Sequence, residues 1–451
     1  MAPRARPALS PYGQRSTIPS PATRMMAAFA ADFRQGVDIN LGVGYVNQET
    51  MPAVEVREAL DYVLSHPAEY PNALNYGSAQ GSPRLAAAIR AFYRAGGFGR
   101  IDERVLGRSD MLIGASGATS ILMGLAQVIK PGIVVTSDPR YYIYCEYLER
   151  AGFEVLAVPE DSEGMRVDLL ERKLAALGSR RRAVRFFYVS TVGNPTSTVV
   201  STARRRAIVE AGARLSRQIG ARIPVVFDAA YEALVHAAGV ERPESALDFD
   251  EHGLVYEVGS FSKVLAPALR VGFLLGPHDE LFDALLQQVS DTSFSASLVV
   301  QEMAAFLLER NGLAQVGKVR AEYARRAGAV AGWIQQYLGE RVEDIRGGQA
   351  GFYYYLTLRG IATHERSPFF RYLARTTGSE NVDRAAGKLL PRVVYLPGQH
   401  CVDPSGDLRA IGRRQLRISY GYETTNNIQT GLRLMGDACA YAAAGRKAGA
   451  T

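Results

Sequence analysis

Between Met111 and Leu275 the chain carries seven short apolar runs, most of them separated by helical stretches. They are Met111-Leu-Ile-Gly, Ile133-Val-Val-Thr, Phe153-Glu-Val-Leu, Val184-Arg-Phe-Phe-Tyr-Val, Ile223-Pro-Val-Val-Phe, Leu254-Val-Tyr-Glu-Val and Val271-Gly-Phe-Leu-Leu. Runs of this length and continuity suit strands covered on both faces. Strands joined through helices make βαβ units, so the pattern predicts an α/β domain built on a large, mostly parallel, seven-stranded sheet. Ser82-Pro83 reads as an N-cap followed by proline at the first helical position, with Leu85, Ile89 and Phe92 at helical spacing behind it. A long helical segment over 278–338 leads to Phe352-Tyr-Tyr-Tyr-Leu and Leu416-Arg-Ile-Ser-Tyr, strands of a smaller α+β domain. The expected division is a flexible N-terminal arm over 1–31, a first part of the small domain over 32–66, a large domain over 67–318 and the rest of the small domain over 319–451.

Composition narrows the function. With 47% hydrophobic and 22% charged residues in 451, the chain is an ordinary globular protein with room for a sizeable core. No apolar run approaches the roughly eighteen residues of a membrane span, so no membrane is expected. The net charge of +7 is spread among alternating acids and bases without a polybasic block, which argues against a nucleic-acid partner. Three scattered cysteines (Cys145, Cys401, Cys439) make no disulfide framework, and a reducing cytoplasm is the default. Six histidines without HExxH or HxH spacing give no metal site. Residues 1–31 hold no Asp or Glu, four Arg and five Pro. An arm that embraces a partner is favoured there over an organellar transit peptide, whose amphipathic helix the prolines oppose.

In open α/β sheets ligands bind at the carboxyl ends of the strands. Those ends carry Ser116-Gly117-Ala118-Thr119, Asp138-Pro-Arg-Tyr141, Asn194-Pro-Thr196, Asp228-Ala-Ala-Tyr231 and Ser260-Phe-Ser262-Lys263, with Arg270 seven positions after the lysine. Each alone has a plain explanation. Ser-Gly-Ala-Thr could simply cap a helix and lacks the Gly-Lys-Ser/Thr of a nucleotide P-loop. Asn-Pro is usually a turn, and Gly42-x-Gly44 lacks the third glycine of a dinucleotide fingerprint. Lysine is scarce, with six against 46 arginines, so Lys263 stands out in this polar setting.

Taken together, in this order and spacing, the motifs resemble the fold-type I pyridoxal-phosphate (PLP) enzymes, specifically the class I/II aminotransferase family. The resemblance runs from about Leu41 to about Tyr420, and its strongest piece is Gly259-Ser-Phe-Ser-Lys-Val-Leu-Ala-Pro-Ala-Leu-Arg-Val-Gly-Phe. It points toward the aminoadipate-type and aromatic branch. It implies Schiff-base chemistry on an α-amino acid, with Lys263 condensing with the pyridoxal aldehyde and then moving the Cα proton. It implies Asp228 as partner of the pyridinium nitrogen, Asn194 and Tyr231 as hydrogen-bond partners of the ring's phenolic oxygen, and Tyr141 stacked on the ring. The phosphate falls to Ser116, Gly117 and Ala118 at a helix N-terminus, with Ser260, Ser262 and Arg270. Tyr76, in Asn-Tyr-Gly-Ser-Ala-Gln-Gly, matches the tyrosine that reaches a second subunit's site, which implies a homodimer with shared sites. Arg417, in Leu-Arg-Ile-Ser-Tyr, matches the arginine that grips the substrate α-carboxylate. Gly44 and Asn194 fall beside the same carboxylate.

Three departures lie near the substrate pocket. Pro267-Ala268-Leu269-Arg270 replaces the usual Pro-Gly-Leu-Arg, Pro397-Gly398-Gln399-His400 lacks the aromatic after Pro-Gly, and Phe352-Tyr-Tyr-Tyr replaces a less polar strand. They tilt the expectation away from a standard dicarboxylic substrate. The leading expectation is amino transfer from an amino acid to a 2-oxo acid. The same constellation serves elimination, replacement and carbon–carbon bond formation, for example on S-adenosylmethionine. A transcription regulator built on this fold is not expected, because the proline-studded residues ahead of Leu41 leave no room for a winged-helix domain.

Overall fold

The computed structural model describes residues 7–448, with side chains through 444. Each of the seven apolar runs forms a strand of one sheet: β1 (Asp110–Ile113), β2 (Ile133–Asp138), β3 (Glu154–Asp161), β5 (Val184–Ser190), β6 (Val225–Asp228), β7 (Val255–Ser260) and β8 (Gly272–Gly276). An eighth, β4 (Gly164–Met165), adds two residues at the edge as an antiparallel hairpin on β3. The seven-stranded expectation is thus short by this edge strand, which is too brief to leave a periodic signal. The order is β1-β8-β7-β6-β5-β2-β3-β4. Pairings from β7 through β3 are parallel, and β8 runs antiparallel between β1 and β7.

The continuous apolar runs are explained by cover on both faces. Along β5, Phe187 and Val189 enter one core cluster and Phe186 and Tyr188 the other. Successive side chains alternate faces, and each face is buried.

Among the helices are α1 (Pro11–Ser16), α2 (Pro21–Ala31), α3 (Pro83–Gly96), α4 (Gly117–Val128), α5 (Tyr142–Arg150), α6 (Glu280–Ser293), α7 (Leu298–Tyr337) and α8 (Thr425–Ala448). Ser82 caps α3 as its sequence predicts, its Oγ accepting from Leu85 N–H, and Leu85, Ile89 and Phe92 are buried. The helical segment over 278–338 is broken in two. Phe294 stands at φ +60° after α6, and the chain restarts as α7, which runs unbroken through residue 318. In the second sheet, β9 (Val342–Gly347), β10 (Tyr353–Leu358), β11 (Leu396–Pro397) and β12 (Gln415–Ser419) pair antiparallel in the order β9-β10-β12-β11.

In the segment expected as an N-terminal arm, residues 7–31 hold two helices; residues 1–6 lie outside the described residues. Ser10-Pro11 and Ser20-Pro21 each act as N-cap and first-turn proline, starting α1 and α2. The prolines begin helices here rather than oppose them. Ala22 and Met25 of α2 are buried against Tyr355, Leu396 and Cys401, and Arg15 of α1 donates to the Glu149 and Arg150 carbonyls. Among the described residues no helix is long and apolar enough to cross a membrane.

Candidate active site

The parallel strands deliver the floor of the site. A cavity at their carboxyl ends is lined by Tyr141, Asn194, Asp228, Tyr231, Lys263 and Arg270, together with Ser190, Ser260, Ser262 and the first turn of α4. Two larger cavities, each ≈ 630 Å³, lie elsewhere, one at the amino-terminal ends of β5 to β7 and one beside Tyr76. Size does not pick out the chemistry; convergence of ionisable groups does.

Asp228 closes β6, and its carboxyl is buried. Burial pushes its pKa up, while the Tyr188 hydroxyl (2.7 Å to Oδ2), the Ala230 N–H (3.1 Å to Oδ1) and the positive Lys263 pull it down. Such a carboxylate is best stabilised by a further positive partner in the cavity. Tyr188 went unnoticed in the sequence because it reads as one more apolar strand residue; its place two residues before the end of β5 was the available signal.

Lys263 follows β7 at the foot of the cavity, half-buried. Its Nζ donates to the Gly44 carbonyl (3.2 Å) and lies 5.5 Å from the Tyr231 ring and 5.7 Å from that of Phe352. Burial, then the Arg417 and Arg270 cations, bring its pKa to about 8, with Asp228 acting against them. About a tenth of this amine would therefore be neutral and nucleophilic at pH 7, far more than for an ordinary lysine.

The first turn of α4 forms a cradle. Ser116 occupies the N-cap position without capping the helix, so the leading N–H groups have no side-chain partner there. Arg270, in the left-handed region at φ +52°, donates to the Ser116 carbonyl (2.9 Å) and Oγ (3.3 Å). Space is set by two glycines. A Cβ on Gly272 would sit 2.1 Å from the Ala118 nitrogen, and one on Gly117 would sit 3.0 Å from the Arg270 guanidinium. A helix N-terminus, a guanidinium and the hydroxyls of Ser260 and Ser262 make a donor set that fits a phosphate.

Arg417 of β12 is buried beside Asn194. Its guanidinium donates to Asn194 Oδ1 (2.7 Å) and the Gly42 carbonyl (2.6 Å), and covers the Tyr353 ring at 4.3 Å. Its Nε has no partner. A buried guanidinium with a donor to spare suits a carboxylate. The Gly42 carbonyl was not expected at this site, and Tyr353, expected only as part of an altered strand near the substrate pocket, has its hydroxyl 3.0 Å from that of Tyr231. Both come from segments far away in sequence, joined only by the fold.

Tyr76 is not brought into the cavity of its own chain. It is 77% exposed and leans on Phe294, itself 68% exposed, at 5.4 Å between ring centroids. His400 is turned to Glu365, with Nε2 2.8 Å from Oε1. Among the described residues no cluster of ligands suited to a metal occurs.

Comparison with known proteins places this geometry in context. Residues 37–425 match the family model described as aminotransferase class I and II. A 2-aminoadipate transaminase of Thermus thermophilus is 26% identical over 412 residues, 90% of this chain and 90% of that protein. A Bacillus subtilis protein described as an uncharacterized HTH-type transcriptional regulator, YisV, is 23% identical over 398 residues, 88% of this chain and 72% of that one. The crystal structure of a multiple substrate aminotransferase from Thermococcus profundus shares the fold, with a TM-score of 0.78 at 22% identity over 95% of this chain and 96% of that chain.

Proposed function

The chain belongs to the class I and II aminotransferase family, whose members work on pyridoxal phosphate, and from that premise we propose that it transfers the amino group of an α-amino acid to a 2-oxo acid on a cofactor held by Lys263. The observation that carries this reading is the setting of Lys263, whose Nζ lies at the Gly44 carbonyl in the cavity that it lines with Asp228, Asn194, Tyr231 and Arg270. Bound there, the cofactor supplies a sink for the electrons left at Cα when a proton departs.

The chain's own residues divide the remaining work. The cradle of Ser116, Gly117, Ala118, Ser260, Ser262 and Arg270 would hold the phosphate. Asp228 would partner the ring nitrogen and keep it protonated, Tyr141 would stack on the ring, and Asn194 and Tyr231 would hydrogen-bond its phenolic oxygen. Arg417 grips the substrate α-carboxylate, with Gly44 and Asn194 beside it, which fixes the Cα–H bond toward Lys263. In its neutral form the Lys263 amine would accept that proton at Nζ.

The exposed pair Tyr76 and Phe294 supports a homodimer in which Tyr76 completes the site of a second copy. In this reading the large domain takes residues 67–318, the small domain takes 32–66 and 319–451, and α7 is the shared spine. Three free, buried cysteines support a cytoplasmic location.

A single turnover tests the reaction type. With an amino donor and no acceptor, the visible absorption of the lysine-bound cofactor should disappear and one 2-oxo acid per site should be released. Return of that absorption without an acceptor, accompanied by loss of a substrate leaving group such as methylthioadenosine from S-adenosylmethionine, would establish elimination or replacement instead.

A further inference from the structure

Tyr353 opens β10, its side chain buried where three parts of the site meet. Its hydroxyl is 3.0 Å from that of Tyr231, and its ring carries the Arg417 guanidinium on one face at 4.3 Å. Room for the hydroxyl comes from Gly44, where a Cβ would sit only 2.5 Å away. Gly44 is the residue whose carbonyl holds Lys263 Nζ. Tyr231 lines the cavity beside Lys263 and Asp228; Tyr353 stands behind it.

We propose that Tyr353 is a positioning residue for amino transfer, its hydroxyl donating to the Tyr231 oxygen so that the Tyr231 proton is directed to the cofactor's phenolic oxygen. The inference rests on the role given to Tyr231 above. A phenol has one proton and two acceptor positions, so one of two facing phenols must donate and the other keeps its proton for a third group. The cation on the Tyr353 face favours Tyr353 as the donor, since it stabilises negative charge on that ring. Burial raises both phenols; Arg417 is the first influence to oppose it at Tyr353 and the last at Tyr231. Hydrogen bonds in series polarise one another by about 10–30% per bond, so Tyr231 backed by Tyr353 is a stronger donor than Tyr231 alone. A stronger donor to the phenolic oxygen stabilises its negative charge and makes the lysine-bound cofactor give up its proton at lower pH.

The test titrates the visible absorption of the PLP-loaded protein from about pH 5 to about pH 10, for wild type, Tyr353→Phe, Tyr231→Phe and the double variant. Tyr353→Phe keeps the ring and its contact with Arg417, and its midpoint should move upward by about half a unit. Tyr231→Phe should move it further, and adding Tyr353→Phe to Tyr231→Phe should move it no more. A purely structural role would alter melting temperature or cofactor occupancy and leave the midpoint in place. An unchanged midpoint in Tyr353→Phe, an equal shift in the Tyr231→Phe background, or spectra that titrate in none of the four proteins overturns the inference. If loss of this hydroxyl prevents folding, Gly44→Ala, which displaces it, should move the midpoint the same way, and no movement there overturns the inference. A wild-type protein that takes up no PLP overturns the functional reading itself, which separates the two failures.

Discussion

Replacing Arg417 with lysine keeps the charge and removes the fork. In the structure the two terminal nitrogens serve Asn194 Oδ1 and the Gly42 carbonyl, and Nε is left for another acceptor. A lysine amine is one point charge on a different reach, so it leaves the carboxylate with at best one of two contacts and strands a buried carbonyl or amide oxygen. A charge-assisted hydrogen bond contributes about 1.5–3 kcal/mol, and an unsatisfied buried acceptor costs about 1–3 kcal/mol. A net loss of about 3 kcal/mol in transition-state binding corresponds to a roughly hundred-fold fall in kcat/KM. The assay compares single-turnover rates for an accepted amino acid and for the amine lacking its carboxylate. Arg417→Lys should slow the amino acid about a hundred-fold and the amine by less than about three-fold. Equal effects on both substrates would show that Arg417 acts through the architecture of the site and does not grip the carboxylate.

Three further outcomes follow from other contacts. Only the neutral amine of Lys263 can capture the cofactor, so the rate of PLP uptake by the apo-protein should climb with pH and level off above about 8; a rate still climbing beyond about pH 9.5 would mean an ordinary lysine. Burial alone would raise the Asp38 carboxyl, yet hydrogen bonds from Arg34 and Arg392 hold it at about 2, against 3.8 when free. Its stabilisation is therefore present above about pH 4 and lost as pH falls through about 2, and Asp38→Asn should cost about 2 kcal/mol in urea unfolding at neutral pH, a difference that vanishes near the acid limit. Inactive Lys263→Ala and Tyr76→Ala proteins, mixed and allowed to exchange subunits, should regain activity that neither has alone, whereas no recovery contradicts a shared site.

Much of this was legible in local patterns. Seven runs with consecutive apolar residues named seven strands because both sheet faces are covered, and the polar segments after five of them named the floor of the cavity. Ser82-Pro83 announced α3, and the same pair at Ser10-Pro11 and Ser20-Pro21 announced α1 and α2, where proline count was given more weight than proline position. The break at Phe294 has no glycine or proline to mark it and arises where the chain turns beside Tyr76. Tyr188 under Asp228, and Tyr353 between Tyr231 and Arg417, were hidden because a tyrosine in an apolar strand gives no sign of what its hydroxyl meets. Only the register of β10 on β12, with Tyr355 opposite Arg417, brings the second of these into place.

The central claim is that Lys263 carries the cofactor. Borohydride reduction of the PLP-loaded protein, followed by peptide mapping, should find one reduced pyridoxyl group per chain on the peptide that contains Lys263, and none in Lys263→Ala. Label on another of the six lysines, or a protein that stays colourless with added PLP, would contradict it.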